Sequence, residues 1–236
     1  MRIAGHALGL VALSVHSGAF AHDLWLEREA GSYVLYHGHR HSGHAGDEVI
    51  PYAPAFVHDV VCLAPDGTRN ALPAVTEYPA RFEAECAAVL VSASSGAWTT
   101  TSQGTQNLPP LGLDGVVRSW RSFESVKRID GWAEGVAQSL GDGLEVVPLV
   151  DPFVLGRRDK LRLLVTLGGE PQRGVTVAYA GEPRGVTGAD GRINLRLRAA
   201  GMQLISASIS VPAAEPGIAQ SVHATALQFE IGTATR

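Results

Sequence analysis

Four histidines fall within eight residues, in the run Tyr36-His37-Gly38-His39-Arg40-His41-Ser42-Gly43-His44. A neutral imidazole is the commonest protein ligand for first-row transition metals. On an extended strand the side-chain period of two puts His37, His39 and His41 on one face, about 7 Å apart. Gly38 and Gly43 allow the backbone to bend these rings inward and to bring His44 round. The spacing therefore predicts a transition-metal site drawn from His37, His39, His41 and His44. The competing reading is a solvated, His-rich loop with no defined site.

A fifth candidate depends on how the chain is processed. Arg2, the apolar run from Ala7 to Val15 and the triplet Ala19-Phe20-Ala21 have the order of a secretory signal peptide over residues 1–21. The run is too short, and too interrupted by His6, His16 and Gly18, to be a spanning helix of about 20 residues. Cleavage after Ala21 makes His22 the first residue. Its α-amine, with an ordinary pKa near about 8, and its imidazole then chelate one ion together as a histidine brace. Cleavage after Ala19 instead leaves His22 third, where amine, two amides and imidazole form a square-planar nitrogen site suited to Ni(II) or Cu(II). Either cut makes His22 a ligand. The expected product is a soluble periplasmic protein, because no later run is long and apolar enough to span a membrane.

Other polar residues are weaker candidates. His58 and His223 each stand alone, and a lone histidine is more often structural than ligating. Asp23, Asp47 and Glu48 lie close enough in sequence to hold imidazole tautomers. No Gly-x-Ser-x-Gly elbow, His-Glu-x-x-His helix, Gly-rich phosphate loop or reactive single cysteine is present, so the chain is not expected to be an enzyme. Its net charge is −4 and its basic residues are scattered along the sequence, which gives no reason to expect a nucleic-acid partner.

The elements that must carry these residues read as strands. Asp23–Tyr36 breaks at Gly31-Ser32, and Phe56–Leu63 and Phe82–Ser92 follow as β runs. Thr99–Asn107 reads as an irregular loop and Gly141–Pro148 as a connector. Over 120–140 the spacing of Trp120, Phe123, Val126, Val136 and Leu140 predicts one helix, weakened by Gly131 and Gly135. After Asp151-Pro152 come short alternating runs at 161–167, 175–179, 193–197, 204–211 and 224–231, as in a small antiparallel β-sandwich. The fold class expected is mainly β in two β-rich domains, 22–150 carrying the metal site and 151–236 forming the sandwich. Cys62 and Cys86 read as a disulfide in an oxidising compartment rather than as thiolate ligands.

Two resemblances sharpen this reading. Gly174-Val-Thr-Val-Ala-Tyr, Thr187-Gly-Ala-Asp-Gly-Arg and Ile193–Leu197 resemble transthyretin-like and carboxypeptidase-regulatory β-sandwich modules, in which the Asp-Gly pair makes a tight hairpin. The whole mature chain resembles two-domain periplasmic components of energy-coupling-factor-type nickel/cobalt uptake systems. The pieces that carry this are His22-Asp-Leu-Trp-Leu-Glu, Tyr33-Val-Leu-Tyr-His-Gly-His-Arg-His, Glu124-Ser-Val-Lys-Arg-Ile and Leu144-Glu-Val-Val-Pro-Leu-Val-Asp-Pro-Phe. The resemblance implies a protein that presents Ni(II) or Co(II) to a membrane transporter, with the ligands at His22 and within Tyr33–His44. A secreted copper-dependent metalloenzyme built on the brace is the alternative.

Overall fold

The computed structural model describes residues 23–39, 47–198 and 200–232. The chain is mainly β, and among the described residues only two single helical turns occur, Pro54–Phe56 and Pro152–Val154. The first half supplies β1 (Asp23–Glu29), β2 (Ser32–Gly38), β3 (Val57–Leu63), β4 (Arg69–Ala71), β5 (Arg81–Phe82), β6 (Ala88–Thr101), β7 (Gly104–Gln106) and β8 (Val116–Ile129). The second supplies β9 (Leu144–Pro148), β10 (Lys160–Leu167), β11 (Glu170–Pro171), β12 (Thr176–Tyr179), β13 (Glu182–Val186), β14 (Arg192–Arg196), β15 (Gly201–Pro212) and β16 (Gln220–Ile231).

A nine-stranded sheet, ordered β13-β12-β15-β16-β8-β6-β3-β4 with β7 added to β6, forms the middle layer. Alternation along its strands feeds two separate cores. Leu63, Leu90, Ile129 and Phe229 pack with Leu144, Leu161, Leu163 and Leu195 of the four-stranded sheet β9, β10, β11 and β14. Val60, Cys62, Val89, Val91 and Val126 point the other way, into a core shared with Leu24, Leu26, Tyr33, Leu35 and Phe82 of the sheet β1-β2-β5. The expected boundary near residue 150 falls between β9 and β10, which pair with each other. The parallel pairing of β16 with β8 runs from Gln220↔Trp120 to Phe229↔Ile129, so strands from both halves share one sheet.

The helix expected at 120–140 is instead the second half of β8 followed by irregular chain. The three-residue spacing of Trp120, Phe123 and Val126 misled because the buried positions between them are polar. Ser125 bonds Leu144 O at 2.8 Å on one face, and Arg128 bonds Leu26 O at 3.0 Å on the other. Flanked by β6 and β16, β8 has backbone partners on both sides, which decides for strand over local pattern. The irregular loop expected at Thr99–Asn107 is mostly a β6–β7 pairing. The connector expected at Gly141–Pro148 contains β9, every residue of which is buried. A strand covered on both faces shows no alternation, and only its shortness identifies it.

The Thr187–Arg192 stretch makes the expected turn. Gly191 sits at φ 72°, its N–H donates to Gly188 O at 3.1 Å, and Asp190 Oδ1 accepts from Arg192 N at 3.2 Å. A Cβ on Gly191 would come within 2.8 Å of the Pro171 side chain, so glycine is required by space as well as by backbone angle. The turn does not make a hairpin, however. Its flanking strands separate, β13 pairing with β12 and β14 with β10. Cys62 and Cys86 form the expected disulfide.

Candidate functional site

β1 and β2 carry the described part of the histidine region, and the middle sheet holds them in place. Leu26 stands on the outer edge of β1, where its backbone has no strand partner. Its N–H donates to Gln228 Oε1 at 2.8 Å, and its carbonyl accepts from Arg128 Nη1. Side chains from β16 and β8 thus close an edge that would otherwise be open to another chain. Tyr33 adds a second tie from β2, donating to Asp130 Oδ2 at 2.7 Å. Its hydroxyl is buried beside that carboxylate, and both effects push its pKa well above the usual tyrosine value.

β1 and β2 pair antiparallel from Glu29↔Ser32 to Asp23↔Gly38, with Leu24 opposite His37. The imidazole of His37 is 9% exposed and lies 5.1 Å from the Phe56 ring, tilted by 47°. Tyr52 packs on Phe56, edge-on to Tyr78, and bonds Leu35 O at 2.8 Å while accepting from Ala80 N at 3.1 Å. Burial pushes the Tyr52 hydroxyl up to about 12, which keeps it a neutral donor at any physiological pH. This aromatic wall fixes the exit of β2.

Beyond β2 the chain leaves at His39 and returns at Asp47, and its two ends are bonded together. His39 N donates to Glu48 O at 3.2 Å and Ile50 N donates to His37 O at 2.7 Å. The two strands of this neck approach so closely that a Cβ on Gly38 would lie 2.1 Å from Glu48 O. His39 Nδ1 is 3.0 Å from Asp47 O. A carbonyl only accepts, so Nδ1 carries the proton, and the lone pair of the neutral ring sits on Nε2. Orientation of an imidazole by a backbone carbonyl is the usual support for an Nε2 metal ligand.

The expected ligands therefore divide. His37 and His39 stand at the end of β2, whereas His22, His41 and His44 lie outside the described residues. The strand expected to run through His41 ends at Gly38. Among the described residues, no group of three or more His, Cys, Asp or Glu side chains is placed to hold a metal ion. Asp47 and Glu48 meet His39 through their backbone carbonyls. The two other histidines among the described residues lie elsewhere. His58 is exposed on β3, and His223 on β16 stacks on Phe123 at 4.9 Å, where burial lowers its pKa. Sequence reasoning missed Phe56, Tyr52 and the neck. A glycine between two histidines was the one available signal for the close approach.

None of the described helices is long and apolar enough to cross a membrane. Neither the curated proteins nor the solved structures contain a match to this chain. A family model does match, over residues 19–211, which takes in His22, the whole histidine run and the chain on both sides of residue 150. The chain belongs to the family described as a domain of unknown function, DUF4198.

Proposed function

We propose that this is an exported metal-binding protein that captures Ni(II) or Co(II) and passes it to a membrane transporter of the energy-coupling-factor type. The capture site on this reading combines His22 and His39 with members of the set His37, His41 and His44. The C-terminal half, residues 151–236, serves as a transthyretin-like β-sandwich platform, and the protein works in the periplasm without turnover of its own.

The observation that supports this reading most is the neck at His39. Its Nδ1 is committed to Asp47 O, which orients Nε2 as the coordinating nitrogen. His41 and His44 belong to the short stretch that the neck closes, and His22 is bonded to Asp23, whose backbone pairs with Gly38 in that same neck. Imidazole and amine ligands near a surface exchange more readily than a closed thiolate cage, which suits a protein that must release its cargo. Both cysteines are bound to each other and take no part.

Titration of the secreted protein with Ni(II), Co(II) and Cu(II), followed by absorbance and calorimetry, tests the proposal. Stoichiometric Ni(II) binding is expected. His22→Ala together with His39→Ala should weaken it by orders of magnitude while leaving thermal unfolding of the metal-free protein nearly unchanged. An affinity that barely moves would remove these residues from the site. Turnover of ascorbate or peroxide by the Cu(II)-loaded protein would favour the copper-enzyme alternative.

A further inference from the structure

The second unassigned feature lies in the C-terminal half, and it is electrostatic. A cavity of about 390 Å³ is lined by Arg157, Arg158, Arg184, Arg196 and Arg198, with the buried ring of Tyr179 among its walls. These are five of the 19 basic residues in a chain whose net charge is −4. One carboxylate, Glu182, pairs with two of them, Arg184 and Arg198, the latter at 2.6 Å. Five guanidinium groups line the cavity and, among the described residues, only Glu182 and Asp159 stand beside them as carboxylates, so the site is strongly positive. A sphere of this volume has a radius of about 4.5 Å, so an anion at its centre lies within one Debye length, about 8 Å at physiological salt, of every wall.

The scaffold beneath these charges is held firmly. The chain before β10 is stitched to the end of β14 by Arg158 N donating to Leu197 O at 2.9 Å and Leu197 N donating to Asp159 O at 3.1 Å. Arg157 Nε bonds Arg198 O at 3.0 Å, and Arg196 Nη1 bonds Arg158 O at 2.9 Å. Arg158 itself is held at φ 74°, a left-handed conformation that is uncommon for a residue with a long side chain. Each guanidinium carries five donors, and these contacts use one apiece from Arg157, Arg184, Arg196 and Arg198. Most of the hydrogen-bonding capacity at this cavity is therefore unused by the fold, and its positive charge is only partly compensated, through Glu182.

We infer that the cavity is a binding site for a multivalent phosphate-bearing anion. Guanidinium forks pair bidentately with phosphate oxygens. Five guanidinium groups are matched by an anion of several charges, whereas a single carboxylate would neutralise only a small part of them. A phosphorylated solute and the phosphate headgroups of a membrane surface offer the same chemistry. The inference makes no use of the histidine site and stands or falls separately from it.

The test uses the full mature chain, with sodium tripolyphosphate as the soluble probe in calorimetry. The membrane probe is co-sedimentation with phosphatidylcholine vesicles, with and without phosphatidylglycerol. Saturable tripolyphosphate binding is expected at low salt, weakening steeply as salt rises. Arg158→Asn with Arg196→Gln should weaken it at least tenfold without moving the thermal midpoint, since asparagine tolerates the left-handed backbone. Arg184→Gln alone should weaken binding in the same direction without touching the stitched backbone. Arg118→Gln with Arg121→Gln, on β8, should leave binding unchanged. Capture by the phosphatidylglycerol vesicles, lost in the cavity variants, identifies a headgroup as the source of the phosphate; tripolyphosphate binding without capture identifies a soluble one. Failure of both probes to bind, indifference of binding to the cavity variants, or equal weakening by the β8 pair would overturn the inference.

Discussion

Two places in this molecule concentrate charge, and the fold treats them in opposite ways. Lys127, on β8, is fully buried, and its ammonium group donates to Glu145 at 2.8 Å, Val136 O at 3.1 Å and Gln138 O at 3.0 Å. Glu145 in turn accepts from Leu140 N at 2.9 Å and Ser139 Oγ at 3.2 Å. All three ammonium donors and both carboxylate oxygens are thereby used inside the protein. Around the arginine cavity the reverse holds, with five exposed guanidinium groups and, among the described residues, Glu182 alone ion-paired to any of them. A buried charge must be satisfied by the fold or the fold is lost, so Lys127 reports on architecture. An exposed excess of charge costs little in water and is available to a partner, so the arginines report on function.

The largest effect that would break this contrast is expected at the buried pair. Lys127→Met leaves Glu145 buried without its cation, and the loss should be about 3–5 kcal/mol by chemical denaturation. Lys127→Met with Glu145→Leu should recover much of it. If Lys127→Met is as stable as the parent, the pair is not the lock that ties residues 136–145 to β8.

Glu124 stands between the extremes and sharpens the comparison. It accepts from Ser122 Oγ at 2.6 Å and from Ser95 Oγ at 3.1 Å, yet among the described residues no cation pairs with it, and burial raises its pKa. A carboxyl whose pKa is raised on folding binds its proton more tightly in the native state. Its stabilising contribution is complete below the unfolded value near about 4.5 and is lost as pH rises through the higher native value. Glu124→Gln should therefore be more stable than the parent at pH 7, on the order of 1 kcal/mol, with the advantage vanishing as pH falls below about 4.5. Thermal melts across that range check it; an advantage that grows on acidification would reverse the assignment. At the small end, Arg196→Gln should change stability by no more than about 0.5 kcal/mol, as exposed substitutions do. A larger loss by denaturation would make the cavity arginines architectural, like Lys127.

How much was legible depended on whether the information was local. Leu24-Trp25-Leu26 and Tyr33–Tyr36 are short apolar runs separated by the Gly31-Ser32 turn, so β1 and β2 read correctly as strands. Cys62 and Cys86 read correctly as a bridge, because only two thiols exist and their spacing does not resemble a zinc knuckle. β8 did not read correctly. Its buried Ser125, Lys127 and Arg128 look like solvent positions until their partners on β9, β1 and the 136–138 segment are known. β9 failed for the complementary reason, since burial on both faces erases alternation. Part of the candidate site was visible as composition, in the run of histidines. The neck that orients His39 was not, because it forms between residues 37–39 and 47–50 through backbone groups that every residue type carries.

The sequence by itself determined that the chain is mainly β, that its cysteines pair, and that four of its nine imidazoles gather in one short stretch. Each of these is a matter of residue type at short range. Tertiary structure decided what the scattered basic residues amount to. Arg157 and Arg158, Arg184, and Arg196 and Arg198 belong to three separate stretches of chain, and nothing in their spacing links them. They meet because β14 pairs with β10 while β13 stays with β12, which brings the loop before β10, the edge strand β13 and the end of β14 around one cavity. Charge acts through space rather than along the chain, so its meaning waited for the fold.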